Sequence, residues 1–183
     1  MGFPQVDRLF IDDASKCFTK RWQACINPLA SPTYRSDTIE AVIRQMLGKI
    51  KLGDVRGWWP KLDLIIPTLN LTDDSYKVFD NIRHDDDDIE LTELALITSA
   101  APTYYAGREY KGKCFVDGGL IEVAPLLTSA TALKHKRGIS FCDMDVLMIG
   151  TGVEQKDHKI STAEYNGYNL LQMATKVIVP YVT

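Results

Sequence analysis

Lys113-Cys114-Phe115-Val116-Asp117-Gly118-Gly119 decides how the rest of the chain is read. Phe115 and Val116 suit a short strand, and an acidic residue followed by two glycines stops it at once. Upstream, Leu91, Leu94, Ala95 and Thr98 recur at helical spacing and predict a helix over residues 89–100, ended by Pro102. Downstream, Leu120 to Val123 leads into Pro125, well placed in the first turn of a helix running to about Lys136. Asp145-Val146-Leu147-Met148-Ile149 then reads as the clearest buried strand, stopped by Gly150-Thr151-Gly152. Strands alternating with helices predict an α/β architecture with a largely parallel sheet.

The first half fits the same pattern. Val6, Phe10, Ala14 and Cys17 share a stripe and predict a helix over residues 6–18. Pro28 and Pro32 interrupt regular structure, and Ser36 or Asp37 can cap a helix over residues 38–49 that buries Ile39, Val42, Ile43 and Met46. Gly53 and Gly57 flank a turn. The apolar run from Leu62 to Leu71 predicts a strand, with Pro67 at a bulge or sheet edge. Asp73-Asp74-Ser75 is a turn, and Tyr76 to Phe79 returns as a short strand. Asp85 to Asp88 reads better as negative charge at a helix N-terminus than as a metal site, because consecutive carboxylates point apart. Trp22, Trp58 and Trp59 are expected in core or domain-surface packing, since large aromatics usually contribute buried area. Residues 162–179 close the chain as an amphipathic helix.

Composition narrows the function. With 183 residues, 45% hydrophobic and 25% charged, the chain can bury one substantial core. A net charge of -3 and a pI near 5.6 give no footprint for nucleic acid. The basic run Lys134-His135-Lys136-Arg137 suits the last turn of a helix, with contact to anionic lipid as the other reading. Four cysteines and three histidines show no metal-ligand spacing, so no metal or other cofactor is expected. The thiols read as reduced, which fits a cytoplasmic protein. No apolar run approaches the roughly 18 residues of a membrane span, and Met1-Gly2-Phe3-Pro4 does not open a signal peptide.

In open α/β sheets, sites form at the carboxyl ends of strands. The loops 117–119 and 150–152 fit that rule. Asp-Gly-Gly alone is also ordinary turn chemistry. Its surroundings say more: Thr98-Ser99-Ala100-Ala101-Pro102-Thr103-Tyr104-Tyr105, then Phe115-Val116-Asp117-Gly118-Gly119-Leu120, then Val146-Leu147-Met148-Ile149-Gly150-Thr151-Gly152. Their order and spacing resemble the second half of the patatin-like phospholipase family, most strongly over residues 94–152, with the whole chain read as a partial domain of that kind. The resemblance implies a three-layer α/β/α fold with a mostly parallel sheet. It also implies a Ser–Asp dyad in which Asp117 accepts the serine proton, on a loop shaped by Gly118 and Gly119. The implied substrate is a lipid or other acyl ester, met through transient contact with a membrane surface.

Two departures accompany the resemblance. No Gly-x-Ser-x-Gly occurs anywhere in the sequence, and Ser99, Ser129, Ser140 and Ser161 all lack the setting of a nucleophile elbow. Where many members carry Asn-Asn-Pro after the aspartate loop, this chain has Val123-Ala124-Pro125. The simplest expectation is that the elbow and the N-terminal strands precede Met1, that the chain alone is inactive, and that its open sheet edges favour self-association. The alternative is a non-catalytic partner or regulatory domain that keeps the fold without the chemistry.

Overall fold

A computed structural model describes residues 13–21, 31–149, 163, 166 and 167. The loop 150–152, the closing helix expected over 162–179, Trp22, and the start of the 6–18 helix lie outside the described residues, apart from those last three positions. Two compact units divide the chain, residues 1–122 and 123–183.

In the first unit, helix α1 covers Ala14–Cys17, α2 Ser36–Leu47, and α3 Asp54–Trp58, a single turn where a plain turn was expected. Strands β1 (Ile65–Asn70) and β2 (Ser75–Asp80) form a hairpin, followed by helix α4 (Leu91–Thr98) and strands β3 (Arg108–Tyr110) and β4 (Lys113–Asp117). The described sheet has the order β2-β1-β4-β3, and every neighbouring pair is antiparallel. This corrects the expectation of a mostly parallel sheet. Four residues, 71–74, join β1 to β2, and a parallel partner would need a crossover of a dozen or more. The turn is built by Asn70, whose Oδ1 accepts the N–H groups of Thr72 (3.0 Å) and Asp73 (3.3 Å), while Asp74 takes a left-handed φ of 49°.

Helix α4 packs on β1 and β4, and α2 packs on α4. Between them Leu52, Phe79, Ile89, Leu94, Ile97 and Phe115 form the buried core, with Phe79 meeting Phe115 edge-on at 5.6 Å. The acidic run does not cap α4, whose N-cap is Glu90 with no side-chain cap bond. It makes ion pairs instead: Asp86 with Lys77 at 2.5 Å, Asp87 with Arg56, and Asp88 with Lys111 at 3.2 Å. Asp37 likewise pairs with Arg35 rather than capping α2, whose N-cap is Arg35. The partners of residues 86–88 come from elsewhere in the chain, whereas the partner of Asp37 lies two residues away.

Arg108 ties three elements together. Its guanidinium donates to Glu93 on α4 at 3.0 and 2.7 Å and to Glu40 on α2 at 3.2 Å. Arg108→Ala should therefore lower unfolding stability by about 1 kcal/mol, between the worth of an exposed pair and a buried one. A denaturant titration checks this, and an unchanged midpoint would contradict it.

In the second unit, helix α5 spans Leu126–Arg137, with Pro125 at its N-cap and Gly138 as its left-handed C-cap (φ 71°). Its last turn carries Lys134, His135, Lys136 and Arg137, as expected from the sequence. Residues 145–149, however, form no strand, and Leu147 and Ile149 are 86% and 88% exposed. They line one wall of an apolar groove of about 470 Å³, with Leu126, Ala130 and Leu133 on the other. An apolar run becomes a buried strand only when neighbours take up its backbone hydrogen bonds. Among the described residues, no strand pairs with it.

Candidate active site

Asp117 is the last residue of β4, paired across the sheet with Thr68 of β1. There the chain turns into a short 3-10 helix, Gly118–Leu120, and the Asp117 side chain caps it: Oδ1 accepts the Gly119 N–H at 2.7 Å. Among the described residues, Oδ2 accepts no hydrogen bond. The carboxylate is half-buried. Burial pushes its pKa up from the ordinary value, with the Gly119 N–H pulling the other way. A raised carboxylate pKa makes a stronger base, which suits proton abstraction.

Gly118 is required by space rather than by backbone angle. A Cβ there would lie 2.3 Å from the Pro67 carbonyl oxygen, 2.5 Å from its carbon and 2.9 Å from the Thr68 nitrogen. Only glycine lets the 117–119 turn press against β1 this closely. Pro67 lies inside β1 just short of the stretch paired with β4. Its carbonyl accepts the Thr98 hydroxyl at 3.0 Å.

The segment 98–105 is the brace of this loop. Asp117 donates its N–H to the Ala100 carbonyl at 3.2 Å, and Ala100 is buried. Ser99 turns inward on α4, donating to the Ala95 carbonyl at 2.7 Å, so its hydroxyl serves the helix end. Thr103 holds φ at 72°, a region that a β-branched residue enters at a cost. Its carbonyl accepts the Thr33 N–H at 2.8 Å. Tyr104 stacks on Tyr34 at 5.9 Å, and the Tyr105 hydroxyl donates to the Cys17 carbonyl at 2.8 Å. Burial pushes Tyr105 up to about 12, so this donor keeps its proton across the working range.

Asp117, Gly118 and Gly119 thus come together as one supported loop. Pro67 and Thr98 were not singled out for it; Thr98 sat in a quoted motif, but its partner lies 31 residues away. Ser140 sits at the start of a 3-10 turn, Phe141–Asp143, and Ser129 inside α5. Neither occupies a strand-to-helix elbow. Among the described residues, no three His, Cys, Asp or Glu side chains are placed to hold a metal ion.

The raised pKa has a stability consequence. The ionised Asp117 costs folding free energy that is absent below the unfolded pKa of about 4 and grows as pH rises through the higher folded value. Asp117→Asn keeps an oxygen for Gly119 and removes the charge. Near neutral pH it should melt at or above the wild-type temperature, and the gap should close as pH falls toward about 4. Thermal melts across that interval test this; a variant clearly less stable at neutral pH would contradict it.

A family model for patatin-like phospholipase matches residues 6–129. A cGAMP-activated phospholipase of Escherichia coli (strain TW11681) is 28% identical over 197 residues, covering 98% of this chain and 54% of that protein. A cGAMP-activated phospholipase of Vibrio cholerae serotype O1 is 29% identical over 82% of this chain and 44% of that protein. Patatin-like protein 2 of Arabidopsis thaliana is 24% identical, over 82% and 41%. The chain spans about half the length of these relatives.

Proposed function

This chain belongs to the patatin-like phospholipase family, and from that membership we propose that it supplies the general base of a lipid acyl hydrolase. In this reading Asp117 takes the proton of a serine hydroxyl as the serine oxygen attacks the ester carbonyl. It returns that proton to the leaving alcohol, and water then releases the acyl group. The serine comes from polypeptide outside these 183 residues, since no Gly-x-Ser-x-Gly lies within them. The observation that carries the reading is the geometry of residue 117: a half-buried, pKa-raised carboxylate at a strand end, braced by Gly118, Gly119, Thr98 and Ala100.

The substrate is a lipid or similar acyl ester, met at a membrane surface. The setting is the cytoplasm, in keeping with Cys17, Cys114 and Cys142 as free thiols. Among the described residues, no helix is long and apolar enough to cross a membrane. The sheet edges β2 and β3 are the places where the isolated chain associates with itself.

The 183-residue chain alone should release no product from a chromogenic acyl ester, and adding the nucleophile-bearing segment in trans or by fusion should restore turnover. Turnover by the chain alone would overturn the reading. The second reading, a non-catalytic partner that kept the fold, is favoured by Val123-Ala124 beside the aspartate loop as well as by the absent elbow. Coding sequence upstream separates the two. An in-frame stop there with normal expression favours the partner, and an elbow a few tens of residues before Met1 favours the enzyme.

A further inference from the structure

Trp58 and Trp59 are not buried as their size suggests: they are 55% and 52% exposed, and pack on each other edge-on at 5.8 Å. All residues from Gly57 through Leu62 are exposed. Yet the loop is held at both ends. On the entry side, Val55 is buried and its carbonyl accepts the Trp59 N–H at 2.8 Å. On the exit side, Leu62 donates its N–H to the Trp59 carbonyl at 2.9 Å. Its own carbonyl accepts from Asn81 Nδ2 at 2.9 Å, and the Leu64 N–H donates to Asn81 Oδ1 at 2.7 Å. Asn81 is fully buried, so the clamp is fixed in the core. An anchored loop therefore presents two tryptophans and Leu62 to solvent. Lys61 is exposed among them, and the nearest acidic residues in sequence, Asp54 and Asp63, lie just outside the loop.

We propose that the 57–62 loop is an interfacial anchor that seats this protein on an anionic lipid surface. Tryptophan rings favour the headgroup boundary, where an apolar body and a polar N–H are both satisfied. A lysine beside them meets anionic headgroups. The identity of the surface rests on the lipid hydrolase reading above. The loop's geometry does not.

The test is partition of the 183-residue chain onto vesicles of phosphatidylcholine and phosphatidylglycerol, read by co-sedimentation. It is also read by tryptophan emission in a Trp22→Phe background, so that only residues 58 and 59 report. Vesicles should shift that emission to the blue. The double variant Trp58→Ser/Trp59→Ser should weaken partition at least about tenfold, the order expected when two large aromatic surfaces are withdrawn. Lys61→Glu should weaken it on anionic vesicles more than on pure phosphatidylcholine. Equal partition of wild type and double variant overturns the proposal, as does a wild type that ignores vesicles. A double variant that loses self-association while vesicle binding stays unchanged assigns the loop to a protein contact and also overturns it. Hydrolysis of a soluble short-chain ester by the elbow-bearing protein keeps the two readings apart. Its absence sinks the dyad and leaves vesicle partition standing, whereas failed partition leaves that hydrolysis standing.

Discussion

Asp117→Ala, introduced into a protein that carries both the nucleophile elbow and these residues, is expected to lower hydrolysis of a soluble acyl ester by at least about 100-fold. The loss should fall on kcat, because the carboxylate acts on the proton transferred in the transition state and not on the bound ester. Folding should survive. The β4 strand is held by its pairing with β1 and β3 and by the buried Phe115 and Val116, none of which needs the carboxylate. Unchanged turnover in a folded variant would remove Asp117 from the chemistry.

Gly118→Ala is expected to produce a comparable loss by a different route. Its Cβ would meet the Pro67 carbonyl at 2.3 Å, a contact with backbone that no side-chain rotation relieves. Either the turn lifts off β1, opening the Thr68–Asp117 pairing, or β1 shifts and the Thr98 bond to Pro67 breaks. Overpacking of this kind costs about 1–3 kcal/mol, and displacing the base by about 1 Å can by itself cost on the order of 100-fold in rate. Gly57→Ala is the matched control, since nothing lies within 4 Å of its Cβ. It should leave stability and soluble-ester hydrolysis near wild type. Equal behaviour of the two glycine variants would mean that the close approach at residue 118 has no functional weight.

What could be read in advance was mostly local. The 117–119 turn was legible because an acid and two glycines cannot continue a strand. Helix α2 was legible from apolar spacing, and α5 from Pro125 at its start and the basic run in its last turn. Pairing direction was not. An apolar run such as 62–71 is compatible with parallel or antiparallel neighbours, and the informative signal was the four-residue link at 71–74, too short for a crossover. The acidic run misled because capping is a local bond, whereas Lys77, Arg56 and Lys111 reach residues 86–88 from elsewhere in the chain. For the tryptophans, expected in core or domain-surface packing, the sequence left the choice open because size favours burial only on average. At 58 and 59 the flanking anchors, Val55 and Asn81, take the core and leave the rings outside. Within the site, the aspartate was identified from its motif, while its brace at Pro67 and Thr98 depended on contacts between distant segments.

The most direct measurement is covalent. The elbow-bearing protein is treated with a fluorophosphonate, and the modified residue is located by mass spectrometry, for wild type and Asp117→Asn side by side. The expected result is one adduct on a serine outside these 183 residues, formed at least about 100-fold more slowly in the variant. An adduct on Ser99, Ser129, Ser140 or Ser161, or equal labelling rates in the two proteins, would contradict a serine activated by Asp117.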